Sequence, residues 1–272
     1  MTTAFADVSA TPVAELLSLT GRQAVVTGGA QGLGKAIAWR LAEAGSNVLI
    51  GDVNAERARV AADEISQRFS VQALGVAMDV TSSESVQAGA SAAAEEFGGI
   101  DIWVNNAGIF PSVPVLETPD HTWEQVFAVN TRGVFNGSRE AARHMTGGKS
   151  GGVIINIIST AGFTGTAPGL SAYVGSKHAV RGMTKQMALE FAPLGIRVLG
   201  VAPTFVPTEG NMAAAAAHPP SEPGGTMAVM TNSLIGRIGT PDDIARVVLF
   251  CASDLSTIMT GSTLLADAGQ TI

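Results

Sequence analysis

Thr27-Gly28-Gly29-Ala30-Gln31-Gly32-Leu33-Gly34 follows an apolar run at residues 24–27 and leads straight into a helical pattern. Glycine lacks a Cβ, so such a turn can take positive φ and bring its backbone close to a ligand. The helix start behind it offers unpaired N–H groups and a partial positive charge, a seat for an anion such as pyrophosphate. A glycine-rich turn alone is weak evidence. At the strand-to-helix junction of a first βαβ unit it reads as a dinucleotide site built from Gly28, Ala30, Gln31, Gly32 and Leu33.

The rest of the chain extends this unit. Runs rich in Val and Ile stand at residues 24–27, 47–50, 71–77, 100–104, 152–158, 196–201 and 262–266. Several are apolar on consecutive residues, as expected of parallel strands buried on both faces. Between them lie helical patterns at residues 34–44, 55–69, 83–97, 123–145 and 173–191. Alternating strand and helix predicts an α/β fold, a doubly wound parallel sheet with helices on both faces. Thr81-Ser82-Ser83-Glu84 has the form of a capping box, and Thr118-Pro119 and Thr240-Pro241 each place Pro behind a Thr cap. No linker or repeat divides the chain, so residues 21–272 read as a single domain. Residues 1–20 read as an arm. Residues 205–237 form an insertion long enough to serve as a lid or binding loop.

Composition narrows the function classes. The 272 residues are 46% hydrophobic and 14% charged, which excludes a disordered chain. A net charge of −7 argues against a surface that tracks phosphates along nucleic acid. Cys251 is the one cysteine, so an internal disulfide or multi-cysteine metal site is excluded, and His121, His144, His178 and His218 lack zinc-ligand spacing. No metal is expected. No apolar run reaches the length of a membrane span, and the first residues lack the basic region of a signal peptide. The chain reads as a soluble cytoplasmic protein with small-molecule partners.

Asp52, with Val53 beside it, closes the second run. A carboxylate there accepts hydrogen bonds from an adenosine ribose and repels a 2′-phosphate. Two like charges at about 4 Å and an effective dielectric of about 20 repel by about 4 kcal/mol. Half of that still gives a tenfold preference for NAD over NADP. Asp79 and Val80 after the third run face the adenine in this reading. Asn106, Ala107 and Gly108 after the fourth are small enough for a flat ring to approach.

The chemistry follows from Tyr173, the one tyrosine, and Lys177 one helical turn later on the same face. Ser159 ends the fifth run, on the same edge as the glycine loop. A phenol ionises near pH 10, so it needs help to act as a base at neutral pH, and a nearby ammonium favours the phenolate. The expected work is removal of an alcohol proton while a hydride leaves the carbinol carbon. His178 is turned about 100° from Lys177 on a helix and is expected to face elsewhere. Cys251 reads as a small buried hydrophobe.

In combination, Thr27–Gly34, Asp79, Asn105–Gly108, Asn130, Ser159, Tyr173 and Lys177 resemble the short-chain dehydrogenase/reductase family over residues 19–270. The resemblance implies a single-domain Rossmann-type, seven-stranded sheet in the order 3-2-1-4-5-6-7. It implies Tyr173 as general acid/base, Ser159 as hydrogen-bond partner of the substrate oxygen, and Lys177 as a ligand of the nicotinamide ribose that lowers the tyrosine pKa. Asn130 would hold a water of the proton relay. Pro203, Val206 and Thr208 match positions that contact the nicotinamide end and pyrophosphate, and a homotetramer is implied, assembled partly through the helices of Asn130 and Tyr173. The sequence departs from the family pattern at Thr204 and Ala268, where glycine is usual, and at Leu199, where Asn is common.

Phe110, Phe163, Leu170 and Phe205, with Ser159 and Tyr173, are expected to line the substrate pocket. None is cationic, which predicts an uncharged, hydrophobic secondary alcohol or its ketone. The rival readings are an NADPH-type 3-oxoacyl reductase and a non-catalytic dinucleotide-sensing protein.

Overall fold

The computed structural model describes residues 5–147, 151–212 and 233–272. Seven strands, β1 (Gln23–Thr27), β2 (Asn47–Asp52), β3 (Ala73–Ala77), β4 (Ile102–Asn105), β5 (Gly152–Ile157), β6 (Ile196–Pro203) and β7 (Thr263–Ala266), form one sheet. Their order is β3-β2-β1-β4-β5-β6-β7, with every neighbouring pair parallel. The helices are α1 (Val13–Leu17), α2 (Gly32–Glu43), α3 (Ala55–Arg68), α4 (Ser83–Phe97), α5 (Asp120–Phe127), α6 (Gly133–Gly147), α7 (Ser171–Phe191) and α8 (Pro241–Ala252). Among the described residues no helix is long and apolar enough to cross a membrane.

Both faces of the sheet are covered, and alternate residues of one strand serve opposite cores. Ala24 and Val26 pack with Ile37 and Leu41 of α2, Ile65 of α3 and Val248 of α8. Val25 between them packs with Val86 of α4, Met145 of α6 and Met187 of α7. The same alternation holds in β4, where Trp103 faces the second core and Ile102 and Val104 the first. Each Val, Leu, Ile or Met among them, fully buried, contributes about 1.5–3 kcal/mol. This two-sided demand is why the strands read as unbroken apolar runs. The chain reverses direction across the sheet between β1 and β4, and the carboxyl ends of those strands open the crevice in which doubly wound sheets bind ligands.

Three local expectations are corrected. The pattern at residues 123–145 is helical throughout but not a regular α-helix: α5 and α6 are joined without a break by a π-helical turn at Ala128–Arg132 that carries Asn130. A single wide turn barely disturbs hydrophobic periodicity, so the sequence hides it. The cap of α4 is Ser82, whose side chain accepts from the Ser85 N–H, and not Thr81. Thr118 does not cap α5; its hydroxyl donates to the Val113 and Pro114 carbonyls, and Pro119 stands at the cap. Thr240 does form a full capping box with Asp243 at α8.

Of the arm, residues 5–20 are described. Leu19 is fully buried in the first core, and α1 lies against the turn at Asp254–Ser256. Of the insertion at 205–237, residues 213–232 lie outside the described residues. Ala268 takes φ 55°, a left-handed conformation that costs alanine about 1 kcal/mol and glycine almost nothing.

Candidate active site

The glycine loop follows β1. Gly28 has φ +61°, and a Cβ there would meet the Ala107 Cα at 2.9 Å. A Cβ on Gly34 would fall 2.2 Å from the Gly28 carbonyl oxygen and 2.5 Å from Asn106 Nδ2. Asn106 Nδ2 donates to the carbonyls of Thr27 (3.0 Å) and Gly28 (2.9 Å). Thr27 Oγ1 accepts from the backbone N–H of Asn106 (3.0 Å) and Ala107 (3.1 Å). The loops after β1 and β4 are therefore stitched together at the crevice. Gln31 is the N-cap of α2 but makes no side-chain cap bond; the Gly32 N–H of this helix start is met instead by Glu209 Oε2 at 3.2 Å.

Asp52 ends β2 with both carboxylate oxygens engaged, accepting from Ala30 N–H (3.2 Å) and Asn54 N–H (3.0 Å). The residue is thus tied to the glycine loop at the end of β2. Val53 is exposed and Val80 buried. Asp79 is held by its own turn, accepting from Thr81 N–H (2.9 Å) and Oγ1 (2.8 Å). A cradle that a Cβ would fill, a helix start without a cap from its own N-cap residue and a strand-end carboxylate together suit a dinucleotide. Sequence reasoning missed Arg57, whose Nη1 donates to Gln31 Oε1 at 2.8 Å beside this end of the site.

Ser159 follows β5 and caps the short turn Thr160–Gly162, its Oγ accepting from Ala161 N–H at 3.1 Å. Tyr173, in the first turn of α7, lies beside Ser159, whose hydroxyl favours the ionised phenol. Lys177, one turn on, is buried; its Nζ donates to the Ile157 carbonyl at 2.8 Å and lies 5.6 Å from the Tyr173 ring centroid. Asn130 is fully buried. Its Oδ1 accepts from Ile109 N–H (2.8 Å), and its Nδ2 donates to the Ile109 carbonyl (2.8 Å) and Ser176 Oγ (3.1 Å). Ser176 Oγ in turn donates to the Tyr173 carbonyl at 2.7 Å. A Cβ on Gly108 would touch both Asn130 Oδ1 (3.3 Å) and Lys177 Nζ (3.7 Å), so the four residues meet around one small volume. Ser176 was not expected; a serine on a helix carries no sign of a partner 46 residues away.

Electrostatics correct one expectation. The phenol of Tyr173 lies above its ordinary value, not below it: loss of hydration raises it and outweighs the Ser159 hydrogen bond, which lowers it. The ring keeps some accessible surface, but protein crowds it closely enough for desolvation to dominate. Burial also brings Lys177 down to about 8. A lysine that is itself desolvated and directed at a carbonyl gives the phenolate little help.

The expected substrate wall divides. Phe110 is 45% exposed, and its ring meets Tyr173 edge-on with centroids 5.9 Å apart. Leu170 is buried at the N-cap of α7. The Phe163 ring packs toward Ile158 and Val180, and the Arg181 guanidinium stacks over it at 3.8 Å, a cation the sequence reading did not place there. Pro203 ends β6, Phe205 is half-buried, Val206 is buried, and Thr208 packs against Gly32. His178 is exposed and its Nδ1 pairs with the Val174 carbonyl (2.9 Å), so it does face elsewhere. Cys251 is buried and its thiol is pushed up to about 12, which makes it inert.

The glycine loop entering α2 and the Ser-Tyr-Lys cluster stand together at the carboxyl edge of a doubly wound sheet, where dinucleotide-dependent oxidoreductases bind their cofactor. The short chain dehydrogenase family model matches residues 22–219. The chain is 37% identical to 3beta-hydroxysteroid dehydrogenase 2 of Eggerthella lenta over 254 residues, 92% of this chain and 95% of that one. It is 36% identical to the 3-oxoacyl-[acyl-carrier-protein] reductase FabG of Aquifex aeolicus, covering 93% of this chain and 99% of FabG. A crystal structure of a short-chain type dehydrogenase/reductase from Mycobacterium marinum superposes with a TM-score of 0.87 at 36% identity, covering 96% of this chain and 99% of that one. The chain belongs to the short-chain dehydrogenase/reductase family and is an oxidoreductase of nicotinamide-dinucleotide type.

Proposed function

We propose that this protein is an NAD-dependent dehydrogenase that interconverts an uncharged, hydrophobic secondary alcohol and its ketone, and that it works as a homotetramer. The observation that carries the reading is the Tyr173 side chain set beside Ser159, with Lys177 Nζ 5.6 Å from its ring, next to a glycine loop to which Asp52 is tied.

A bound nicotinamide supplies the hydride acceptor. The protein's own residues do the rest. The Ser159 hydroxyl and the Tyr173 hydroxyl converge on the substrate oxygen, and Phe110 packs beside the Tyr173 ring to keep the reacting face apolar. Tyr173 Oη takes the alcohol proton as the C–H bond gives up its hydride, and returns a proton in the reverse direction. Lys177 Nζ stands between the Ile157 carbonyl and the Tyr173 ring, placed to bind a ribose hydroxyl and carry the proton away. Asn130 fixes Ile109 to α7 and so holds the cofactor loop against the catalytic helix.

Asp52 supports NAD. Arg57 favours a second reading, an NADPH-type 3-oxoacyl reductase, because a guanidinium near the ribose can meet a 2′-phosphate. Steady-state kinetics separate the two and test the mechanism together. With NAD and alicyclic or aromatic alcohols, kcat/KM should exceed that with NADP or acyl-carrier thioesters by tenfold or more. Tyr173→Phe should bind NADH as the wild type does and lose turnover by about 10²–10⁴. Undiminished turnover in that variant removes Tyr173 from the mechanism.

A further inference from the structure

The segment after β6 returns to the start of α2 and lies on it at three consecutive residues. A Cβ on Gly32 would come within 3.1 Å of Thr208 Cβ. Glu209 Oε2 accepts the Gly32 N–H at 3.2 Å. A Cβ on Gly210 would come within 3.3 Å of Gln31 Nε2. Gly32 N–H is a donor of the helix start, and Gln31 supplies no side-chain cap to it. The cap therefore comes from a residue 177 positions away, and it is a carboxylate.

The same donor and the same end of the helix dipole are what a pyrophosphate needs. Among the described residues Glu209 forms no ion pair: Lys35, in the first turn of α2, is paired with Glu64 at 2.6 Å, and Arg57 donates to Gln31 Oε1 at 2.8 Å. The segment does not depend on Glu209 for its own shape, since Thr208 N–H donates to Asn211 Oδ1 at 2.7 Å and Asn211 N–H to Thr208 Oγ1 at 3.3 Å. We propose that Glu209 is an internal occupant of the diphosphate seat, which it must vacate when a dinucleotide binds, so that this carboxylate sets the apparent affinity for the cofactor. The inference rests on the dinucleotide reading above. A site whose competent form is only partly populated binds more weakly by that fraction, and a carboxylate at a helix start is held by enough to make the fraction matter.

Calorimetric titration of wild type and Glu209→Gln with ADP-ribose, NADH and adenosine tests it without turnover. Glutamine keeps the shape and removes the charge. Its Kd for ADP-ribose and NADH should fall by about threefold to tenfold, while that for adenosine, which has no phosphate, stays unchanged. Glu209→Ala, which removes the acceptor as well, should move the same way, and melting curves establish that both variants are folded. Unchanged or weaker ADP-ribose binding in both variants overturns the inference, as does an equal shift for adenosine. If wild type binds neither ADP-ribose nor NADH, the dinucleotide reading itself fails and the role of Glu209 falls with it.

Discussion

Lys177, which the proposed mechanism places in the active site, is held at the expense of stability. Its amine sits in a buried pocket with one carbonyl partner, and burial lowers it from its ordinary value of 10.5 to about 8. Between those values the unfolded chain binds more protons than the folded one, so stability rises as pH climbs through that window. It is lowest below pH 8, where both states are protonated and the folded state carries a desolvated charge. A tenfold change in proton affinity corresponds to about 1.4 kcal/mol, so the burden at pH 7 is on the order of 3 kcal/mol. Lys177→Met should therefore raise the thermal midpoint of the dinucleotide-free protein at pH 7, by about 1–3 kcal/mol of stability, while abolishing turnover. The gain should shrink toward pH 10. A destabilised variant at neutral pH would mean that the Ile157 contact outweighs desolvation. That this residue and Tyr173 share a helix face was legible from their spacing, while their assignment to the chemistry came from the order of motifs along the chain and from the family resemblance. The direction in which the tyrosine moves was not legible. It depends on how much protein surrounds the ring, and sequence carries no measure of that.

At the scale of elements, the informative case is the end of α8. Arg197 stands buried inside the otherwise apolar strand β6. Its guanidinium, 5% exposed, reaches across from β6 to the carbonyls of Cys251 (3.1 Å), Ser253 (3.3 Å) and Ser256 (3.2 Å) and to Ser256 Oγ (2.9 Å). It thus caps the last carbonyls of a helix and the turn behind it, where the dipole favours a cation. Burial draws it down to about 10, still far above neutrality. Replacing a buried charge with an apolar side chain is often harmless when every partner is replaced with it. Here the carbonyls remain. Arg197→Met should cost about 2–4 kcal/mol, read as a lower denaturant midpoint with unchanged slope. Partners lying 54 or more residues away are invisible to any local pattern, and the same holds for Asn130 with Ser176 and for Glu209 with Gly32. What local patterns did carry was the Thr240–Asp243 capping box, because its chemistry is complete within four residues. The π-turn at Ala128–Arg132 escaped for the opposite reason: one additional residue in a turn leaves periodicity nearly intact.

For the whole molecule, strand number and parallel direction were readable because burial on both faces forces consecutive apolar residues. Strand order came from the family resemblance, and the observed order agrees with it. What the single chain leaves open is its own surface. The helices α5, α6 and α7 each carry a large apolar side chain facing outward: Trp123 is 42% exposed, Phe135 45% and Leu189 73%. Trp123 is not loose. It stacks on Phe127 at 4.8 Å, and Gly175 of α7 faces that pair. A rigid aromatic platform joined to the catalytic helix is costly to leave in water and favourable to bury against a second copy. Sedimentation equilibrium at micromolar concentration should give four times the chain mass of 27.7 kDa. Leu189→Glu should shift the population to smaller species, because a carboxylate buried at a symmetric interface meets its own copy. At a site this exposed the substitution costs the isolated protomer little. Turnover should fall with the dissociated fraction and recover as protein concentration rises, since α7 carries Tyr173 and Lys177. A wild type that sediments at the mass of one chain, fully active, would show that these side chains serve no assembly.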